Sequence, residues 1–117
     1  MSLYVVRLLA TAANDLDQII GWIAERSLDG AARLLTEFHK LLGILPTSAD
    51  SYSRAAEFDD DGYEIRQAFF RTRKGNTYRA IFLIKGNEVR ILRIRGSGQP
   101  PLTADEIEEQ EKSGGSD

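Results

Sequence analysis

The chain has 117 residues, of which 42% are apolar and 28% are charged, the composition of one soluble globular domain. It contains no cysteine and one histidine, which excludes a disulfide framework and makes a transition-metal site improbable. No apolar stretch is long enough to cross a bilayer, so we expect a cytoplasmic protein with no membrane partner and no cofactor.

The net charge of -3 conceals a segregation of charge along the chain. Residues 1–62 carry 5 basic and 10 acidic side chains, residues 63–95 carry 9 and 2, and residues 96–117 carry 1 and 6. The middle segment is therefore strongly positive between two acidic flanks. Local potential decides where an anionic partner docks, although arginines on an exposed sheet face can also serve only solubility.

The first half of the chain predicts a strand and two helices. Leu3 to Leu9 is rich in β-formers and mostly apolar, which is typical of an inner or well-covered strand. Apolar residues then recur at helical spacing from Ala12 to Ile23, with Thr11 as the expected N-cap. A second amphipathic helix follows, with Asp29 as its expected cap and Pro46 as its end. The shared apolar face of such a helical hairpin needs a sheet to cover it.

The second half predicts that sheet. A long polar loop from Thr47 to Gly62 leads into three β-rich segments, Tyr63 to Arg71, Tyr78 to Lys85 and Glu88 to Arg95. Gly86-Asn87 between the last two is a two-residue hairpin signal. These segments predict a three-stranded antiparallel meander.

The complete pattern predicts an α/β (α+β) fold, in which an antiparallel helical hairpin packs on a twisted, mainly antiparallel four-stranded sheet that includes the first strand. Residues 1–102 form the predicted domain, and residues 103–117 form an acidic C-terminal helix or tail that opens on a capping-box pattern at Thr103. The expected core residues are Val5, Leu9, Leu16, Ile20, Ile23, Leu34, Phe38, Leu42, Ile65, Ile81, Leu83, Ile91 and Ile94.

Arg66 and Arg79 stand out, because adjacent antiparallel strands can place them opposite each other on one face. Two such cations repel unless an anion or a carboxylate lies between them. The pair therefore indicates either an anion site or a structural network with Glu64, Glu88 or the acidic loop.

Several short segments follow one another in a fixed order over roughly residues 3–102. They are Tyr4-Val5-Val6-Arg7, the pattern Ala-x-x-Asp-Leu-x-x-Ile-x-x-Trp-Ile that ends at Ile23, Leu41-Leu42-Gly43-Ile44-Leu45-Pro46, Glu64-Ile65-Arg66, Tyr78-Arg79-Ala80-Ile81-Phe82, Val89-Arg90-Ile91-Leu92-Arg93-Ile94 and Gly96-Ser97-Gly98-Gln99-Pro100. This ordered set resembles the RelE/ParE superfamily of toxins from bacterial type II toxin–antitoxin systems. The resemblance implies a small toxin that is neutralised by a cognate antitoxin protein.

The resemblance leaves two activities open, of which the first is enzymatic. RelE-like members are endoribonucleases that cleave mRNA on the ribosome, and the matching catalytic candidates here are Arg66, Arg79 and Arg93. However, Glu64 stands where RelE-like enzymes carry lysine, and no tyrosine follows Tyr78 to match their C-terminal tyrosine. Arginine is a poor general base because it stays protonated. These departures make the nuclease the second choice.

The favoured activity is that of ParE-like members, which poison DNA gyrase and are not nucleases. The expected contacts to a target or to nucleic acid are Arg71, Arg73 and Lys74 at a hairpin tip together with Arg95, although a solvated turn would have the same composition. Trp22 is expected in the core or in an antitoxin groove. A third alternative is a remnant that binds an antitoxin but is no longer toxic. The sequence leaves the oligomeric state open.

Overall fold

The structure is a computed structural model that describes residues 3–55, 64–73 and 75–96. Its elements in chain order are strand β1 (Val5–Leu8), helix α1 (Ala10–Ala24), helix α2 (Leu28–Ser48), a 3-10 turn (Ala49–Ser51), and strands β2 (Glu64–Phe70), β3 (Tyr78–Lys85) and β4 (Glu88–Gly96). This order confirms the predicted α+β fold. Lys74, the acidic end of the predicted loop and the predicted C-terminal helix lie outside the described residues.

The helices form where the sequence predicts them, but their caps differ. The N-cap of α1 is Leu9, which makes no side-chain capping bond, so the prediction of Thr11 was wrong. In α2 the cap is Ser27, whose hydroxyl accepts a hydrogen bond from the Gly30 amide at 2.9 Å. Asp29, the predicted cap, lies in the first turn instead, where its negative charge suits the positive end of the helix dipole.

Pro46 does not end α2, contrary to the prediction, because the helix continues to Ser48. Proline removes one helical hydrogen bond, but this position lies in the last turn, where other donors are available. The Ser48 hydroxyl donates to the Ile44 carbonyl at 2.6 Å, and the amide of Tyr4 donates to the Pro46 carbonyl at 2.8 Å. The second bond also ties the end of α2 to the start of β1.

The strands form one sheet in the order β1-β4-β3-β2, with β1 parallel to β4 and the other pairs antiparallel. Among the described strands β1 lies at the edge of the sheet, and its residues are exposed or half-buried, so its prediction as an inner or well-covered strand was wrong. Val5, an expected core residue, is 55% exposed, because its neighbour Val6 packs against the cluster on the helix side and Val5 therefore points to the other face. The Gly86-Asn87 hairpin is confirmed, and Gly86 adopts the positive φ of 61° that a type II′ turn requires at this position.

The predicted loop after α2 is partly ordered against the sheet. The Gln67 amide donates to the Ser53 carbonyl and the Ala55 amide donates to the Ile65 carbonyl, both at 3.0 Å. An isolated bridge between Arg54 and Arg66 lies between these bonds. The described part of the segment therefore covers one section of the outer edge of β2.

Two apolar clusters lie on the two faces of the sheet. The larger one joins both helices to residues such as Ala68, Phe82 and Ile91, and the smaller one consists of Leu9, Ile65, Ile81, Leu83 and Leu92. Burial is confirmed for nine predicted core residues, which are Leu9, Leu16, Leu34, Phe38, Ile65, Ile81, Leu83, Ile91 and Ile94. Ile20, Ile23 and Leu42 pack against the larger cluster and are partly buried. Among the described residues, no helix is both long and apolar enough to span a membrane.

Candidate functional site

Arg66 and Arg79 do not lie on one face of the sheet, so the predicted opposition of these two arginines was wrong. Arg66 is the register partner of Phe82, and Arg79 is the register partner of Phe69. Because side chains alternate along a strand, Phe69, three residues after Arg66, points to the other face. Both described helices pack on the face of Arg66, and Arg79 lies on the opposite face, which the described helices leave uncovered.

Arg66 ties the edge of the sheet to the segment that follows α2. Its Nη2 atom lies 2.8 Å from a carboxylate oxygen of Glu64, and its Nη1 atom donates to the Tyr52 carbonyl. Tyr52 in turn packs edge-on against Phe82. Arg66 therefore has the structural pairing with Glu64 that the sequence offered as one alternative.

Arg93 links β4 to α1 through Asp15. The Nε and Nη2 atoms of Arg93 donate to the two carboxylate oxygens of Asp15 at 2.6 and 3.0 Å, and the Ile94 amide donates to the same carboxylate at 3.0 Å. β1 pairs with β4 only as far as Ile91. Beyond that point the Asp15 carboxylate accepts the hydrogen bond from the Ile94 amide, which a carbonyl of a neighbouring strand would otherwise accept.

Arg79 and Arg95 are register partners on β3 and β4 and share the face that the described helices leave uncovered. Arg79 is 7% exposed, and its Nη1 atom donates to the side-chain oxygen of Gln67 at 3.1 Å. From the sequence, Arg79 was predicted as a catalytic candidate and Arg95 as a target contact, because local sequence does not fix the register between two strands.

A second cluster of charges lies at the other end of the same face, around Glu88. Arg90 donates a hydrogen bond to the Glu88 carboxylate, and the Nη1 atom of Arg7 lies 3.7 Å from the same oxygen. The hydrogen bond from Arg90, aided by the positive charges of Arg90, Arg7 and Lys85, lowers the pKa of Glu88 from its ordinary value, and burial opposes the shift. Glu88 is therefore held as an anion between cations.

The hairpin tip between β2 and β3 contributes to a cleft beside the helices. Arg71 and Arg73 are exposed there. This exposure fits both the predicted binding surface and the alternative of a solvated turn. The cleft has a volume of about 590 Å³, and Arg73 and Tyr78 line it on the sheet side, opposite Trp22, Arg33 and Leu34. Arg33 was not among the predicted site residues, because on the sequence it is one more polar residue of an amphipathic helix.

Trp22 is 54% exposed in the wall of this cleft, so it is not a core residue. The guanidinium of Arg26 stacks on the indole at 3.7 Å from the ring centroid, and its Nη1 atom donates to the Trp22 carbonyl at 2.8 Å. The spacing of four residues on a helix was the signal that could have revealed this stack.

A second cleft of about 470 Å³ lies between α2 and the outer end of β2. Two exposed apolar side chains, Ile44 and Phe69, line it together with Arg71. Exposed aromatic and aliphatic side chains grouped in a cleft are typical of a surface that binds another protein.

Comparison with known proteins gives a consistent family and fold. A family model described as the ParE toxin of the type II toxin–antitoxin system, parDE, matches residues 6–101. A solved structure described as the chromosomal ParDE toxin–antitoxin system from P. aeruginosa matches with a TM-score of 0.61 and 23% identity, over 80% of this chain and 96% of that chain. At this identity the structural match shows a common fold. A search of curated proteins found no match.

Proposed function

The chain belongs to the ParE toxin family of type II toxin–antitoxin systems, and we propose that this toxin poisons DNA gyrase and is held inactive by a cognate antitoxin. The family match carries the proposal, because it extends from within β1 to beyond the end of β4 and so includes both helices, strands β2, β3 and β4, and most of β1. A ParE-like activity requires a surface that binds a large protein target, and it does not require a catalytic centre.

The arginines support binding in preference to RNA cleavage. Cleavage at a ribose 2′-hydroxyl needs a proton acceptor, and arginine remains protonated. Arg66 and Arg93 are paired with carboxylates of the same chain, and Arg66 and Arg79 lie on opposite faces. Three cations in this arrangement do not converge on one phosphate group, which favours the gyrase poison over the mRNA endonuclease.

The exposed apolar side chains support an antitoxin partner. Trp22 in one cleft, and Ile44 and Phe69 in the other, are each more than half exposed. Large apolar side chains of this kind are the usual anchors of protein–protein interfaces. Arg33 and Arg73 flank the Trp22 cleft, so we infer that the antitoxin segment seated there combines apolar and acidic residues.

The test is to incubate the purified chain with gyrase, ATP and supercoiled plasmid, and in parallel to express it and map 5′ ends of mRNA. We expect gyrase-dependent DNA breaks and uncut messages. Arg73→Gln at the hairpin tip should weaken gyrase poisoning, whereas Lys40→Gln on α2, which removes the same charge from a residue paired with Glu37, should not. Messages cut within codons, with intact DNA, would instead establish the RelE-like activity.

A further inference from the structure

The cleft beside the helices, with a volume of about 590 Å³, contains two arginines that form no ion pair within the described part of the chain. Arg33 of α2 and Arg73 of the hairpin tip line its opposite walls. Asp29 and Glu37 lie one turn before and one turn after Arg33, but neither binds it, and Glu37 is paired with a lysine instead. None of the described residues that line the cleft is acidic. Two exposed guanidiniums on facing walls of such a cleft favour an anionic ligand.

A tight turn fixes the backbone position of Arg73. The Gly75 amide donates to the Thr72 carbonyl at 3.2 Å and closes a turn that holds Arg73. A Cβ atom at position 75 would lie 2.3 Å from the Thr72 hydroxyl, so any larger residue there would require the Thr72 side chain to move. Thr72 and Gly75 themselves line the cleft. The Arg73 side chain therefore extends from a fixed point of the wall, which reduces the entropy lost when a ligand binds.

Tyr78 adds a hydrogen-bond donor to the same wall. Its ring packs on Phe70, with 6.0 Å between the ring centroids, and Phe70 packs on Phe38 of α2 at 5.3 Å. The Tyr78 hydroxyl forms no hydrogen bond within the described chain and is not enclosed by it. Because the ring is held rigidly and the hydroxyl is unpaired, Tyr78 can donate to a ligand in the cleft.

Trp22 presents a flat aromatic surface in the opposite wall. Its side chain is more than half exposed. The Arg26 guanidinium covers one face of the indole at 3.7 Å from the ring centroid, and this stack fixes the orientation of the ring. The rest of the exposed indole surface is accessible to a second planar group. Nucleobases stack on aromatic side chains in this way, because every base has a π face.

We propose that this cleft binds a nucleoside phosphate, with the phosphate between Arg33, Arg73 and the Tyr78 hydroxyl and the base against Trp22. Guanidiniums and hydroxyls donate hydrogen bonds to phosphate oxygens, and the indole stacks on the base, so each side chain has a role. The cleft volume lies within the range of about 300–1,000 Å³ that is typical of small-ligand sites. A free nucleotide and an unpaired nucleotide of a nucleic-acid strand both present this phosphate and base.

The planar surface favours a nucleotide over an acidic peptide as the ligand of the free toxin. Carboxylates would satisfy the two arginines but would leave the indole of Trp22 without a stacking partner. The antitoxin segment that we infer for this cleft would then exclude the nucleotide when it binds. Nucleotide binding is measured on the toxin without gyrase, so its outcome is independent of the proposed target.

Trp22 is the single tryptophan of the chain, so its fluorescence reports directly on the cleft. Titration of the full chain with AMP should quench this fluorescence to saturation, and inorganic phosphate, which lacks a base, should bind about tenfold more weakly. Calorimetric titration should show that Arg33→Gln and Arg73→Gln each raise the Kd for AMP by about tenfold, since each removes a charge-assisted hydrogen bond. The matched control is Lys40→Gln, which removes the same charge from α2 outside this cleft and should leave the Kd unchanged.

A short single-stranded oligoadenylate distinguishes the two sources of the ligand. Binding that is tighter than that of AMP assigns the site to a nucleic-acid strand, and equal or weaker binding assigns it to a free nucleotide. The absence of saturable quenching by either probe would overturn the proposal. Equal affinities for AMP and inorganic phosphate would refute the stacking on Trp22, and an unchanged Kd in both arginine variants would refute the phosphate site. Quenching by a glutamate-rich peptide but not by AMP would show that the cleft binds only acidic peptides.

Discussion

Asp15→Asn tests how much of the stability depends on the link between α1 and β4. In the structure the Asp15 carboxylate accepts two hydrogen bonds from Arg93 and one from the Ile94 amide, at 2.6 to 3.0 Å. Asparagine retains one oxygen for the Ile94 amide but turns an NH₂ group towards a guanidinium. The substitution thus removes the negative charge and places the NH₂ donor of asparagine against the N–H donors of Arg93, with almost no change in side-chain volume.

The magnitude follows from the burial of the pair. The side chain of Asp15 is 12% exposed and that of Arg93 is 21% exposed, so the remaining cation is only partly hydrated when its partner is lost. Breaking a fully buried pair costs about 3–5 kcal/mol, and a hydrogen bond to a charged group contributes about 1.5–3 kcal/mol. For this partly buried site we expect the free energy of unfolding to fall by roughly 2–3 kcal/mol, or a Tm lower by about 10 °C.

Equilibrium unfolding in urea, followed by far-ultraviolet circular dichroism, measures this loss. Asp17→Asn is the matched control, because Asp17 lies on the same helix and is exposed. A double-mutant cycle with Arg93→Gln should give a coupling free energy of about 1 kcal/mol or more. If Asp15→Asn and Asp17→Asn differed by less than about 0.5 kcal/mol, which is the ordinary range for surface substitutions, the structural role of the pair would be refuted.

Two further predictions concern Glu88 and the glycines. Glu88→Gln should lower the free energy of unfolding by about 0.5–1 kcal/mol at neutral pH. Since folding lowers the pKa of Glu88, this contribution is present above the ordinary pKa of a glutamate and is lost as the pH falls through the folded-state pKa; a difference that does not change with pH would contradict the pairing with Arg90. Gly43→Ala should raise the free energy of unfolding by about 0.5–1 kcal/mol, since the added methyl group meets no atom within 4 Å. Gly86→Ala should lower the free energy of unfolding by about 1 kcal/mol, because alanine is strained at the Gly86 φ of +61°. If Gly43→Ala and Gly86→Ala shifted the Tm in the same direction, the different roles of the two glycines would be refuted.

The arginines of the sheet show why a charge pattern alone does not identify a catalytic site. Arg66 and Arg93 are each held by a carboxylate, and Arg79 is buried. Arginines of a strongly basic segment can therefore serve to link neighbouring elements of the fold through ion pairs. Exposed cations such as Arg73 are accessible to a binding partner. The family match then directs the proposed function towards protein targets.

The sequence by itself determined the element order and most of the core. Helical and strand periodicities are local properties of the chain, and they identified both helices, the meander and the Gly86-Asn87 turn before any contact was known. Buried positions such as Phe38, Ile81 and Ile91 followed from the same periodicities. The family resemblance was also present in the order of these segments, and the match over residues 6–101 confirms it.

Tertiary structure alone decided the neighbours of Arg79, Arg93 and Arg95. Strand register is a long-range property, and a shift by one residue exchanges the two faces of a sheet. It separated Arg66 from Arg79 and joined Arg79 to Arg95. It also placed β1 at the edge of the described sheet, where β1 ends early enough for Asp15, 78 residues before Arg93, to bind β4 in its place. Contacts between residues so distant in sequence depend on how the elements pack, and no local pattern encodes them.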